Sequence, residues 1–287
     1  MKVIENPEEA YAHVAHWRSS GQRVGLVPTM GALHAGHMAL VERSRSECDI
    51  TVATIFVNPT QFGPHEDFAK YPRTLEADLE SLRSRGTDLV FVPTPELLYP
   101  PGFSSYVAPP NAAEPLEGVC RPGHFRGVTT VVMKLFQIIP ATIAYFGKKD
   151  FQQLTVIRRM VEDLNVPIRI EGCSTVRESD GLAMSSRNRY LSDAQRSAAL
   201  ALWKSLHLAS SLVEQGQVQV SLLEAEMEKT LYAEGAERID YARIVDRNSL
   251  ETLETLDRPA VALIAAYVGQ TRLIDNLELE PPIGQNC

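Results

Sequence analysis

Residues 27–37 read V-P-T-M-G-A-L-H-A-G-H. An apolar run ends in a threonine, a glycine opens a short turn, and two histidines follow three residues apart. That order reads as a strand, a tight loop and the start of a helix. Residues three apart share one side of a helix, so His34 and His37 bring two imidazoles to its first turn. A helix start carries N–H groups and a partial positive charge, and it attracts phosphate. Gly31 and Gly36 let a ligand approach the backbone without meeting a Cβ. In a doubly wound sheet ligands gather at the carboxyl ends of the strands, where this stretch falls.

Two common phosphate motifs do not fit. The G-x-x-x-x-G spacing from Gly31 to Gly36 resembles a P-loop, but His37 stands where lysine is needed and Met38 where the magnesium-binding hydroxyl is needed. The dinucleotide pattern G-x-G-x-x-G is absent. The histidines then have three readings: they face solvent, they join an unseen third ligand around a metal, or they donate hydrogen bonds to phosphate oxygens. The strand–glycine–helix setting favours the last.

Outward from this stretch, strand-like and helix-like segments alternate. Residues 23–29 read as a buried strand. Residues 37–47 have helical spacing, with Met38, Leu40 and Val41 inward and Glu42, Arg43 and Arg45 outward. Residues 49–58 are β-branched and apolar throughout, as in a strand covered on both faces. Leucines at 75, 79 and 82 mark a helix over 74–86, with Gly86 as its stop. Strands follow at 88–93, 141–147 and 166–173, and helices at 127–138 and about 150–164. This repeat implies an α/β, Rossmann-like, doubly wound parallel sheet with right-handed crossovers.

The texture changes after residue 176. R-E-S-D-G-L-A-M-S-S-R-N-R (177–189) is polar and reads as a hinge. Ser192 with Gln195 forms a capping box, alanines and leucines run to about 214, and a second helix covers about 221–233. Strands are expected at 239–245, 260–268 and 271–276. The expected division is a Rossmann-like domain over 1–176 and a smaller α+β domain over 177–287.

The totals agree with an ordinary globular chain. Its 287 residues are 44% apolar and 22% charged, with a formal net charge of -8. The charge disfavours nonspecific nucleic-acid binding. Cys48, Cys120, Cys173 and Cys287 are widely spaced with no C-x-x-C, as expected of reduced thiols in the cytoplasm. The acidic N-terminus lacks the apolar core of a signal peptide. The apolar run Val261 to Val268 is too short to span a bilayer.

H-x-G-H after a strand is a signature of the nucleotidyltransferase superfamily. Five further blocks stand in register: F-V-N-P-T-Q-F-G (56–63), Y-P-R-T (71–74), R-P-G-H-F-R-G-V (121–128), G-K-K-D-F-Q-Q-L (147–154) and M-S-S-R-N-R-Y-L (184–191). Together they resemble the pantoate–β-alanine ligase family from about residue 24 to 192. The resemblance implies ATP-dependent condensation of pantoate with β-alanine through a pantoyl adenylate. It also implies Mg²⁺ and a homodimer; the net charge and the short apolar runs lead to the expectation of no nucleic-acid or membrane partner. A different nucleotidyltransferase, or a nucleotide-binding module without chemistry, are the alternatives. Exchange of pyrophosphate into ATP, with and without β-alanine, separates them.

The family pattern carries over to residues as follows. ATP contacts fall on Pro28, Thr29, Met30, Gly31, Ala32, Leu33, His34, Ala35, Gly36 and His37, on Gly147, Lys148, Lys149 and Asp150, on Val176, and on Met184, Ser185, Ser186 and Arg187. His34, His37, Lys149 and Arg187 are the expected catalytic groups, acting on phosphate charge. Gln61, Gln153 and Asn58 are expected to hold pantoate or β-alanine. Asn58 on its own reads as turn chemistry, and Asp150 with Gln153 also reads as a helix cap. Lys148 replaces the glutamate usual in the family, and its role is open. His124 to Arg126 are a further candidate contact. Asp78, or alternatively Glu76, is the expected magnesium ligand, although ATP itself can hold the ion.

Overall fold

The computed structural model of the chain describes residues 1–64 and 66–282. They fall into two units: the first holds 1–148 and 152–176, the second 149–151 and the chain from 177 onward.

The first unit runs β1 (Lys2–Ile4), α1 (Pro7–Ser19), β2 (Val24–Thr29), α2 (Ala35–Glu47), β3 (Ile50–Ile55), α3 (Leu75–Ser84) and β4 (Leu89–Phe91). It continues with α4 (Pro95–Leu98), α5 (Glu117–Cys120), α6 (His124–Ile138), β5 (Ile143–Gly147), α7 (Phe151–Asp163) and β6 (Arg169–Cys173). The strands lie in the order β1-β4-β3-β2-β5-β6, and every neighbouring pair is parallel. This is the expected doubly wound sheet. The chain steps outward from β2 through β3 to β4, then returns to the other side of β2 as β5. The switch point lies between β2 and β5, and the crevice at their carboxyl ends is where such sheets take ligands.

Alternation along the strands sorts the core into two faces. Leu26, Val52, Leu89, Phe91, Ala144 and Phe146 pack with Ala10 and Val14 of α1, with α6, and with Leu154 and Ile157 of α7. Val27, Ala53, Ile55, Val90, Ile143 and Tyr145 pack with Met38, Leu40 and Val41 of α2 and Leu82 of α3. All six residues of β3 are buried, as its continuous apolar run requires. Burial of each large side chain contributes roughly 1.5–3 kcal/mol before the entropy of ordering it.

The pair β1 and α1 is not among the expected elements. Lys2 and Val3 are exposed and α1 buries only Ala10 and Val14, so neither shows a strong apolar period. The signal that was present is at the helix start: Asn6 accepts the N–H groups of Glu8 and Glu9, and Pro7 opens the first turn. A second difference concerns α3, where Leu75 lies exposed at the first position while Asp78 is buried.

The second unit contains α8 (Asp193–Ala198), α9 (Leu200–Glu214), α10 (Val220–Ala233), β7 (Arg238–Asp246), β8 (Ala260–Val268) and β9 (Thr271–Leu279). Its three strands form an antiparallel sheet in the order β7-β8-β9. Leu202, Leu206, Leu223, Met227 and Leu231 from the helices cover Ala242, Ile244, Ala262 and Ile264. The capping box forms: Gln195 N–H donates to Ser192 Oγ, and Ser192 N–H donates to the Gln195 amide oxygen. The single helix expected after it is broken at Ala199 into α8 and α9.

Among the described residues no disulfide joins Cys48, Cys120 and Cys173, and Cys287 lies outside them. Among the described residues no helix is long and apolar enough to cross a membrane.

Candidate active site

The turn from β2 to α2 is held from below. Thr29, buried, donates to the Thr54 carbonyl at 2.6 Å, and its hydroxyl accepts the Gly31 N–H at 3.2 Å. Gly31 has φ +81°, and a Cβ there would lie 3.1 Å from Asp78 Oδ2 and from Ile55. Ala32 next to it also has a positive φ of 51°. Asp78 reaches this turn from α3: Oδ2 accepts the Ala32 N–H at 2.9 Å and Oδ1 the Leu33 N–H at 2.8 Å. Thr74 adds its hydroxyl to Oδ2 at 3.2 Å.

Asp78 is the residue expected to hold magnesium. It is buried with both oxygens engaged by the turn, so it anchors the motif. Among the described residues no group of three or more His, Cys, Asp or Glu is arranged to hold an ion.

The two histidines cap the helix and each other. His34 is the N-cap of α2, and His37 is the third residue of the helix. His34 Nδ1 accepts the Gly36 N–H at 3.1 Å, and His37 Nδ1 accepts the His34 N–H at 3.3 Å. The ring centroids are 4.1 Å apart. A ring nitrogen that accepts an N–H carries no proton, so in each neutral imidazole the hydrogen is assigned to Nε2. The pair therefore brings two Nε2–H groups to the start of α2, while the Gly36 N–H of the first turn is directed at the His34 ring. The expectation of an open helix start changes accordingly: the imidazoles stand in for backbone donors.

Asn58 and Gln61 sit on the short turn after β3. Asn58 is almost wholly buried, and its amide is saturated. Nδ2 donates to Gln61 Oε1 at 3.0 Å and to the Gly127 carbonyl at 3.2 Å. Oδ1 accepts from Thr60 N at 3.3 Å, Thr60 Oγ1 at 3.0 Å and Tyr99 OH at 2.8 Å. Asn58 thus spends its amide on bonds within the protein. It orients Gln61, whose Nε2 is left as the donor and lies 3.3 Å from Met30 Sδ. Asn58 caps this turn, as its turn reading expects.

His124 has a similar positioning task. It is buried, and its Nδ1 lies 2.8 Å from the Gln61 carbonyl while Nε2 faces Arg121 Nη1 at 3.2 Å. Burial first, then the Arg121 charge, lower its pKa from 6.5 to about 4. It is therefore neutral near pH 7, with Nδ1–H donating to the carbonyl and Nε2 accepting from the guanidinium. Arg121 in turn grips Glu66 through two bonds of 2.6 and 2.8 Å. Burial alone would raise the Glu66 pKa, but the Arg121 hydrogen bonds and charge hold it below the usual range.

At the end of β5, Gly147 is followed by a short 3-10 turn over Lys148–Asp150, and α7 begins at Phe151. The Lys149 amine lies 4.0 Å from the Asp150 carboxylate. The neighbouring glutamines divide their tasks. Gln152 is buried and tied to the start of α5 and the segment before it: its oxygen accepts the Glu117 N–H at 3.0 Å, and its nitrogen donates to the Ala112 and Pro115 carbonyls at 3.0 and 2.7 Å. Gln153 is half-buried and takes no part in those bonds.

The stretch expected to be a flexible hinge is braced within the second unit. Ser185 Oγ accepts the Arg187 N–H at 3.2 Å and caps a 3-10 turn over Ser186–Tyr190. Asn188 donates to Glu178 Oε1 at 3.0 Å and to the Ala183 carbonyl at 3.1 Å. Arg196 pairs with Glu178 at 2.8 Å and Asp180 at 2.7 Å. Val176 and Met184 are half-buried and Ser186 is buried.

The first unit thus gathers His34, His37, Met30, Asn58 and Gln61, with Gly147 ending the neighbouring strand. The second unit holds Lys149, Ser185, Ser186 and Arg187. Tyr99 and the engaged form of Asp78 have no local motif; only the fold brings them to their partners.

The sequence pattern of the pantoate–β-alanine ligases matches residues 2–278. The chain belongs to that family. As a ligase of this family it joins pantoate to β-alanine to make pantothenate. It is 49% identical to pantothenate synthetase of Moorella thermoacetica over 280 residues, covering 98% of this chain and 99% of that protein. It is 51% identical to the enzyme of Thermosipho africanus over 277 residues, covering 96% and 99%. The crystal structure of pantothenate synthetase from Thermus thermophilus superposes with a TM-score of 0.93 at 44% identity, covering 98% of this chain and 100% of that one. The pantoate–β-alanine ligase from Francisella tularensis, solved with a β,γ-ATP compound and β-alanine, matches with a TM-score of 0.78 at 33% identity, covering 96% and 97%. Full-length likeness at this level does not favour the alternative nucleotidyltransferase or the module without chemistry.

Proposed function

We propose that this ligase works through a pantoyl adenylate formed over the β2–α2 turn. A pantoate carboxylate oxygen attacks the α-phosphorus of ATP, the bond to the β-phosphate oxygen breaks, and pyrophosphate leaves. The amine of β-alanine then attacks the activated acyl carbon, the acyl–phosphate bond breaks, the nitrogen loses a proton, and pantothenate and AMP are released. Adenylation is needed because a carboxylate offers an amine no leaving group.

The observation that carries this reading is the reciprocal histidine cap, with each Nδ1 occupied by a backbone N–H. It fixes two neutral Nε2–H donors side by side at the carboxyl end of β2. The first step brings two anions together, and fixed donors oppose their repulsion without reorganising. Lys149 and Arg187 add positive charge, and Ser185 and Ser186 add hydroxyls. Gln61, its amide turned by Asn58, donates to pantoate from Nε2, and Gln153 provides a second amide. The Francisella complex, with its ATP compound and β-alanine, supports both substrates. Magnesium, if it accompanies ATP, would offset phosphate charge.

The test is exchange of labelled pyrophosphate into ATP. Exchange that requires pantoate but not β-alanine is the expected result. Exchange without pantoate, or only with β-alanine present, overturns the two-step order. A homodimer in the cytoplasm belongs to the same proposal, and sedimentation and cell fractionation check it.

A further inference from the structure

Lys149 is tied to a strand far along the chain. In β9 the buried Asn276 donates from Nδ2 to the Lys149 carbonyl at 2.7 Å. The backbone of Asn276 is itself held on both sides. Its N–H donates to Asp275 Oδ1 at 2.8 Å, and its carbonyl accepts from Arg177 Nη2 at 3.2 Å. Arg177 and Asp275 form a two-pronged pair, Nη1 to Oδ2 at 2.6 Å and Nη2 to Oδ1 at 2.9 Å. The guanidinium also donates to the Gly181 carbonyl at 3.0 Å and lies 3.8 Å from the Trp203 ring centroid. Gly181 leaves room for that ring, since a Cβ there would meet it at 2.0 Å.

A buried ion pair is a poor source of stability, because desolvation offsets its attraction. Its value here is geometric: the fork sets one backbone position, and that position sets one amide. A lysine has a long flexible side chain, so where its ammonium reaches depends on where its backbone is fixed. A misplacement of about 1 Å in such a group costs about a hundredfold in rate. We propose that Asn276 is a positioning residue for Lys149, and that Arg177 and Asp275 form the clamp that orients Asn276. The proposal rests on Lys149 acting on phosphate charge in adenylate formation.

The experiment is a double-mutant cycle on the full-length ligase, read as the single-turnover rate of pantoyl-adenylate formation. Asn276→Ala alone is expected to slow this step about tenfold or more. Asn276→Ala added to Lys149→Ala is expected to slow it no further. Arg177→Lys keeps the charge but loses the fork; it is expected to give a smaller loss that also vanishes in the Lys149→Ala background. This variant carries the test if Asn276→Ala fails to fold. The rate of amide formation from supplied pantoyl adenylate should stay within about twofold, which a general loss of structure would not spare. Losses that multiply in the double variants, or an unchanged rate in both single variants, overturn the positioning role. An unchanged rate in Lys149→Ala overturns the role of the lysine and the proposal with it.

Discussion

His34 and His37 do two things with one ring each: Nδ1 closes the helix start and Nε2 carries the ring N–H. Asparagine can imitate the first task and not the second. Replacing His34, the N-cap, by Asn should therefore leave the melting temperature close to the parent, because Asn is a good cap. The adenylation rate should fall by about 10²–10³, the usual loss for one transition-state donor. Stopped-flow or quench measurement of adenylate checks this. Asp78 gives a contrasting case. Asp78→Asn turns an NH₂ group toward one of the two N–H donors and should cost about 1–3 kcal/mol in a denaturant titration. The magnesium concentration for half-maximal rate separates an anchor from a ligand: no shift is expected of an anchor, and a tenfold shift would mark Asp78 as a ligand. His124 brings a pH dependence. Its folded pKa is about 4 against 6.5 for an ordinary histidine, so the unfolded chain binds the extra proton first. Stability is then complete above about pH 7. It declines by about 1.4 kcal/mol per pH unit below 6.5 and levels off near 4, on the order of 3 kcal/mol in all. His124→Asn should lack this component in urea titrations across that range.

At the scale of elements, the close approach of α6 to the turn after β3 matters most. A Cβ on Gly127 would lie 2.3 Å from the Thr60 carbonyl oxygen and 2.7 Å from Gln61 Cα. These are backbone atoms that cannot step aside singly. Gly127→Ala should displace the 58–61 turn, raise KM for pantoate about tenfold or more and lower the melting temperature; steady-state kinetics with pantoate varied is the check. Elements of this kind differ in how far the sequence announces them. The run 24–47 is legible because an unbroken apolar strand, a glycine turn and two imidazoles occur together. Residues 50–55 are legible because they form one continuous run of apolar and β-branched positions. The pair β1 and α1 is not, since three strand residues and two small buried side chains leave little pattern. The break at Ala199 is hidden inside a run of good helix formers. In α3 the leucine spacing misleads, because Leu75 is exposed and a carboxylate takes a buried place on behalf of a turn 45 residues earlier. The candidate site follows the same rule. His34, His37, Gln61 and Arg187 stand in local motifs. The saturation of Asn58 depends on Tyr99 and Gly127, which are distant in sequence.

At the scale of the molecule, the two units have separate apolar cores, one on each face of the first unit's sheet and one in the second unit. Leu206→Ala empties part of the second unit's core and should cost about 2–5 kcal/mol there. Hydrogen exchange should quicken at amides of β8 while those of β3 keep their protection; equal loss in both would mean that the cores melt as one. The boundary between the units is not a single point in the chain. Three residues, 149–151, go with the second unit although the segments before and after them belong to the first. Recombining this enzyme with a homologue by a crossover at 176/177 would therefore pair one parent's Lys149 with the other parent's β9. Hybrids made that way inherit the amide from one ancestor and its carbonyl from another, so the tripeptide and the last strand should be transplanted together.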